Sequence, residues 1–110
     1  MITVSVRRHS DGRIVAFRAE GHSGMAPRGS DIACAAVSAL TQAAALGLLR
    51  HVRIPVELEE GEGLLACRLP GSLDPASSLK AQAVLDTMVL GLKEVAAQFP
   101  EAVRVVEVEG

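Results

Sequence analysis

Apolar and polar positions alternate with period two from the start of the chain. Ile2, Val4 and Val6 stand between Thr3, Ser5 and Arg7, so Ile2 to Arg8 predicts a strand with one buried face. Ser10-Asp11-Gly12 is a turn signal, because Asp-Gly tolerates the positive φ angles of a tight hairpin. Arg13 to Glu20 predicts a second strand, with Val15, Phe17 and Ala19 on its inner face. The alternation then stops. Gly21 to Ser30 contains three glycines and a proline and reads as a loop. Asp31, or Ser30, is a suitable N-cap for a helix reaching about Arg50. That helix is rich in Ala and Leu and apolar almost all round, which predicts a place at the centre of the fold or against a second subunit.

The second half repeats the theme. Arg53 to Glu60 alternates, with Ile54, Val56 and Leu58 to one side, and Pro55 marks it as an edge strand or a bulge. Gly61-Glu62-Gly63 is a turn, and Leu64 to Leu69 predicts a fourth strand with Leu65, Cys67 and Leu69 sharing a face. Asp74-Pro75 supplies an N-cap followed by proline at the first helical position. Leu85, Met88, Val89, Leu92, Val95, Ala96 and Phe99 then recur at helical steps until Pro100. Val103 to Val108 predicts a last strand. The order β-β-α-β-β-α-β predicts an α+β fold, two helices packed on one face of a mostly antiparallel sheet.

Length and composition narrow the functional classes. The 110 residues predict one domain spanning 1–110. Phe17 and Phe99 are the only aromatic residues, so the core is built from Val, Leu, Ile and Ala, and stacking platforms for single-stranded nucleic acid are lacking. A net charge of −2 offers no basic footprint, and no direct nucleic-acid partner is expected. The apolar run Ile32 to Leu49 is interrupted by Ser38, Thr41, Gln42 and Gly47 and reads as a core helix rather than a membrane span. Two cysteines without a secretory signal predict free thiols and a cytoplasmic protein. The Cys and His residues lack the close ligand pairs of a structural zinc site, and Gly21, Gly24 and Gly29 lack the spacing of a nucleotide loop. No metal and no cofactor is expected.

The candidate chemistry sits around the first helix start. Cys34, read as about the third helical residue, would lie among unpaired N–H groups near the positive end of the dipole, where a thiolate is favoured. His22, twelve residues earlier, could pair with it as base and then as acid toward a leaving amine. Asp31 could orient the imidazole or only cap the helix. Ser38, four residues on, falls on the same helix face as Cys34 and could support the thiolate or only back-bond a carbonyl. The amides of Ala33 to Ala35 are candidates for an oxyanion hole. The plainer alternative is that Cys34 is a small buried side chain, as Cys67 is expected to be. His9 and His51 read as solvated or dipole-satisfying. These residues leave three readings open: a cysteine peptidase, a non-catalytic interaction module and a thiol redox sensor using Cys34 and Cys67.

Gly21-His22, the glycine-containing loop and then Gly29-Ser30-Asp31-Ile32-Ala33-Cys34-Ala35-Ala36-Val37-Ser38 resemble the ribosomal-processing cysteine proteases called Prp. The likeness extends over the whole chain, including Leu85-Asp86-Thr87-Met88 in the second helix. It implies a homodimeric endopeptidase that removes the N-terminal extension of ribosomal protein number twenty-seven of the large subunit, cutting after an aromatic residue. It implies His22 and Cys34 as the catalytic pair and Asp31 and Ser38 as supporting residues. It also implies that the loop holding Gly21, Ser23, Gly24, Arg28 and Gly29 gates the site and orders around substrate. The expected partner is the ribosomal protein precursor as a peptide substrate, with no membrane. Ser23 and Ala33 depart from the family pattern, which commonly has Ala and Val there, and Met25-Ala26-Pro27-Arg28 is particular to this chain.

Overall fold

A computed structural model describes residues 1–21 and 28–110, with side chains for 1–21 and 32–110. Five strands form one sheet: β1 (Ile2–Arg8), β2 (Ile14–Glu20), β3 (Glu57–Gly61), β4 (Leu64–Arg68) and β5 (Val103–Glu109). Their order across the sheet is β3-β4-β2-β1-β5. Only the β1–β5 pairing is parallel; β1–β2, β2–β4 and β3–β4 are antiparallel. Two helices, α1 (Arg28–Leu46) and α2 (Pro75–Gln98), pack against one face, as the hydrophobic pattern predicts. Each helix is a crossover between strands that run the same way, β2 to β3 and β4 to β5, which no tight turn can join.

The core lies between the sheet and the helices. Val4, Val6, Phe17, Cys67 and Val103 point up from the strands, while Leu48, Leu85 and Leu92 come down from the helical layer. Gly91 lets the helices approach closely: a Cβ there would lie 3.0 Å from Leu40 of α1. Asp74 caps α2 by accepting from the Ser77 amide at 3.2 Å, with Pro75 first in the helix. Hydrogen bonding from the Ser77 side chain, and then from its amide, holds the Asp74 carboxyl below its ordinary range.

Several sequence expectations shift. Ile14, not Val15, is fully buried on β2. Arg7 pairs with Ala16 but Arg8 with Ile14, so Val15 is the extra residue of a β-bulge and the inward parity changes there. The bulge exposes backbone that a regular ladder would satisfy. Gln82 of α2 closes it, accepting from the Ile14 amide at 2.7 Å and donating to its carbonyl at 2.8 Å. The third strand starts at Glu57, not Arg53. Arg53 instead ends the first helical segment in the left-handed region, φ 65°, and the Ile54 amide bonds back to the Leu48 carbonyl. Pro55 has no amide to place in a ladder, and β3 is an edge strand, exposed along its whole length including Leu58. Beyond Leu46 the α-helix widens into a π-helical segment, Gly47–Val52, in which Leu48 and Val52 are buried.

The Ile14 contact and the Glu107 ion pairs can each be tested. Gln82→Leu leaves both Ile14 backbone groups unpaired, so urea unfolding should show a stability loss of about 1–3 kcal/mol. Arg8 donates to Glu107 at 2.9 Å and Lys93 lies 3.5 Å away, and the Arg8 hydrogen bond leads in holding the Glu107 carboxyl below its ordinary 4.5. A carboxylate depressed in the folded state adds stability above its unfolded value and loses it as pH falls through the folded one. Glu107→Gln should therefore flatten the acid limb of the stability profile below about pH 4.5 and leave its neutral and alkaline shape unchanged.

Candidate active site

The rotation of α1 about its own axis decides which side chains reach solvent. Ala33, Val37, Thr41, Ala44 and Leu48 are buried, a stripe at helical spacing seated on the core. One position round the helix from that stripe lie Cys34, Ser38 and Gln42, spaced four residues apart on one face. Cys34 is half-buried, and Ser38 and Gln42 are exposed. All three line a cleft of about 270 Å³, whose opposite wall includes Glu20 and Gly21 at the end of β2 and Gly63 in the β3–β4 turn. Thr41 also borders the cleft, but its hydroxyl donates to the Val37 carbonyl at 2.8 Å.

The structure therefore brings Cys34 and Ser38 together at a cleft, as their spacing predicts. It corrects the helix start. The helix begins at Arg28, so Ser30 and Asp31 lie in its first turn and neither is the N-cap. Arg28 and Gly29, expected in the loop, are helical too. The physical reason is that Gly29 costs a helix only about 1 kcal/mol, while the Ala-rich run behind it propagates at little cost. Cys34 is consequently in the second turn rather than at the third position. The amides of Ala33, Cys34 and Ala35 lie beyond the first four of the helix and bond within it, so they are not free to form an oxyanion hole. His22, Ser23 and Gly24 lie outside the described residues, as do the side chains of Arg28 and Asp31.

Gly21 fixes where the chain leaves the sheet. Its φ is +111°, and a Cβ there would run into the Met1 carbonyl oxygen. Its amide donates to the Gly63 carbonyl at 3.0 Å. Only glycine meets both conditions without moving the N-terminal backbone. The last described residue before His22 is thus pinned to the wall facing Cys34.

The other candidates lie elsewhere. Cys67 is buried on β4 between Leu65 and Leu69, as expected of a core side chain, and burial pushes its thiol up to about 11. Both cysteines are free thiols. His9 sits by the first hairpin, 3.4 Å from Asp11, and His51 is exposed in the last turn of the π-helical segment. A larger hollow of about 870 Å³ lies around Arg18, Arg68 and Glu57 and reaches neither Cys34 nor Ser38. Gln42 and Glu20 border the cleft without having stood out in the sequence. Gln42 is visible there as the third member of the four-residue series from Cys34; Glu20 carries no local signal, since strand pairing places it.

With this geometry in hand, comparison with known proteins is specific. The family model for the cysteine protease Prp matches residues 1–104. The ribosomal processing cysteine protease Prp of Bacillus subtilis (strain 168) is 31% identical over 107 residues, covering 96% of each protein. The S. aureus ribosomal processing protease Prp, solved in complex with a substrate peptide, superposes with a TM-score of 0.85 at 21% identity, over 98% of this chain and 100% of that one. SMU.848 of Streptococcus mutans gives 0.77 at 27% identity, over 100% of this chain and 96% of that one.

The two thiols should separate cleanly. Iodoacetamide should label Cys34 in the folded protein and reach Cys67 only after denaturation, as read by peptide mass mapping. Gly21→Ala should lower stability by about 1–3 kcal/mol through backbone strain. It should also disturb the cleft wall, so peptide turnover per folded molecule falls with it.

Proposed function

The chain belongs to the cysteine protease Prp family, and from that membership we propose that it removes the N-terminal extension of ribosomal protein number twenty-seven of the large subunit. In this reading Cys34 is the nucleophile and His22 its partner. The imidazole takes the thiol proton, the Cys34 sulfur attacks the scissile carbonyl, and the protonated imidazole passes its proton to the departing amine. The thioester left on Cys34 is then hydrolysed by water, which His22 deprotonates in turn. Asp31, in the first turn of α1, positions the imidazole, and Ser38 offers a hydroxyl beside the sulfur. The loop that follows Gly21 gates the cleft.

The observation that carries the reading is the shared cleft. Cys34 and Ser38 stand on one wall and Gly21 on the other. Gly21, which precedes His22 in the sequence, is held on that wall by its hydrogen bond to the Gly63 carbonyl. The relative from B. subtilis is a ribosomal processing enzyme by name, and the S. aureus protein was captured with a substrate peptide. A homodimer fits the helical layer. Ile32, Leu46 and Leu49 are 57%, 42% and 36% exposed along the outer side of the first helix and its extension. The run Ile32–Val52 is apolar and long enough for a membrane span, yet only 33% of its most apolar window is buried within one chain. A second copy would cover that side, in the cytoplasm where unprocessed ribosomal proteins are made.

The direct test uses the host's full-length ribosomal protein precursor and N-terminal sequencing by mass spectrometry. Wild type should trim it at one bond after an aromatic residue. Cys34→Ala and His22→Ala should each lower the rate by about 10³-fold or more. Trimming by Cys34→Ala at the wild-type rate would refute the mechanism. A folded wild type that leaves the precursor intact would favour the non-catalytic interaction module.

A further inference from the structure

The cleft continues along α1 past the cysteine, and we propose that Gln42 is a substrate-binding residue that holds the backbone of the bound peptide three or four residues from the bond that is cut. The proposal rests on the peptidase reading above. Cys34, Ser38 and Gln42 border one cleft at four-residue steps. Eight residues of α-helix span about 12 Å. An extended peptide advances about 3.3 Å per residue, so a chain lying along α1 with its reacting carbonyl at Cys34 brings its third or fourth residue to Gln42.

The side chain is equipped for that contact. Among the described residues, the Gln42 carboxamide makes no hydrogen bond, and it is exposed. Its neighbour Thr41 has already donated its hydroxyl to the Val37 carbonyl. Of the other side chains that line the cleft, Ile2, Val37 and Leu65 are apolar, Ser38 lies one helical turn nearer Cys34, and the Glu20 carboxylate pairs with Arg18 at 3.3 Å. A carboxamide carries both donors and an acceptor, so it can pair with the N–H and C=O of one extended residue without selecting a charge. At about 270 Å³ the cleft falls below the roughly 300–1,000 Å³ of pockets that enclose a whole small ligand. It suits one or two side chains of a peptide that runs on along the helix. Gln42 would thus act in substrate binding, with no part in the bond-making steps.

The experiment uses the full chain and a peptide spanning the junction between the extension and the mature N-terminus of the host's ribosomal protein. Gln42→Ala should raise KM about three- to tenfold while kcat changes less than about twofold, the size expected for one or two peptide hydrogen bonds. Peptides shortened stepwise from each end locate the contact. Once the third and fourth residues from the cut are removed on one side, wild type and Gln42→Ala should cleave equally. Unchanged urea midpoints for Gln42→Ala confirm that folding is not the cause. Equal KM values on the full peptide would overturn the proposal, as would a penalty that persists on the shortened peptides. If wild type cleaves no peptide, the peptidase reading is what fails. Peptide affinity, compared between Cys34→Ala and the Cys34→Ala/Gln42→Ala double variant, then decides for Gln42 by a loss of about three- to tenfold and against it by equality.

Discussion

Everything about the site depends on the rotational setting of α1. The helix is held by a stripe of small and branched side chains, Ala33, Val37, Thr41, Ala44 and Leu48, that fits the core in one orientation. With that stripe down, Cys34 is half-buried at the edge, and Ser38 and Gln42 follow it along the cleft. A rotation of one residue position, about 100°, would bury the thiol or turn it to bulk solvent. Packing in the core therefore sets the exposure of the Cys34 thiol. Thr41 is the one buried polar side chain in the stripe, and its hydroxyl is satisfied within the helix, so the stripe remains compatible with burial.

The sheet supplies the facing wall. The β2 strand ends where its last pair meets β4, Glu20 opposite Leu64, and the chain turns at Gly21 under a constraint that only glycine satisfies. The Gly21–Gly63 hydrogen bond ties that turn to the β3–β4 hairpin. Two segments far apart in sequence, 20–21 and 61–65, thus form one surface across from α1. The two cysteines show how position separates chemistry. Cys67, with the same thiol, lies on β4 within the core, where burial raises its pKa and denies it access.

Much of the architecture is legible because it depends on local pattern. The alternation of Ile2, Val4 and Val6, the Asp11-Gly12 turn, the Asp74-Pro75 helix start and the edge character after Pro55 all reflect backbone chemistry within a few residues. The pairing of Cys34 with Ser38 follows from helical spacing alone. What escapes the sequence depends on distant partners or on competition between near-equal choices. The bulge at Val15 is set by pairing with β1, and Gln82 that satisfies it is 68 residues from Ile14. The helix start at Arg28 is not legible because Asp31 and Ser30 are acceptable both as caps and in a first turn, and local propensity separates those choices weakly. The π-helical widening after Leu46, with Leu48 and Val52 buried in it, has no signal in a local window of sequence. The catalytic assignment of His22 rests on resemblance, since glycine-rich loops have no periodicity to read.

The central claim is that Cys34 is a peptide-directed nucleophile activated by His22, and a mechanism-based label tests it most directly. A peptide chloromethyl ketone bearing the residues before the cut should add once per chain. Tandem mass spectrometry should place the adduct on Cys34. Excess substrate peptide should slow the reaction, and His22→Ala should slow it markedly. Labelling at Cys67, or labelling of Cys34 at the same rate with His22 replaced and with competing peptide present, would contradict it.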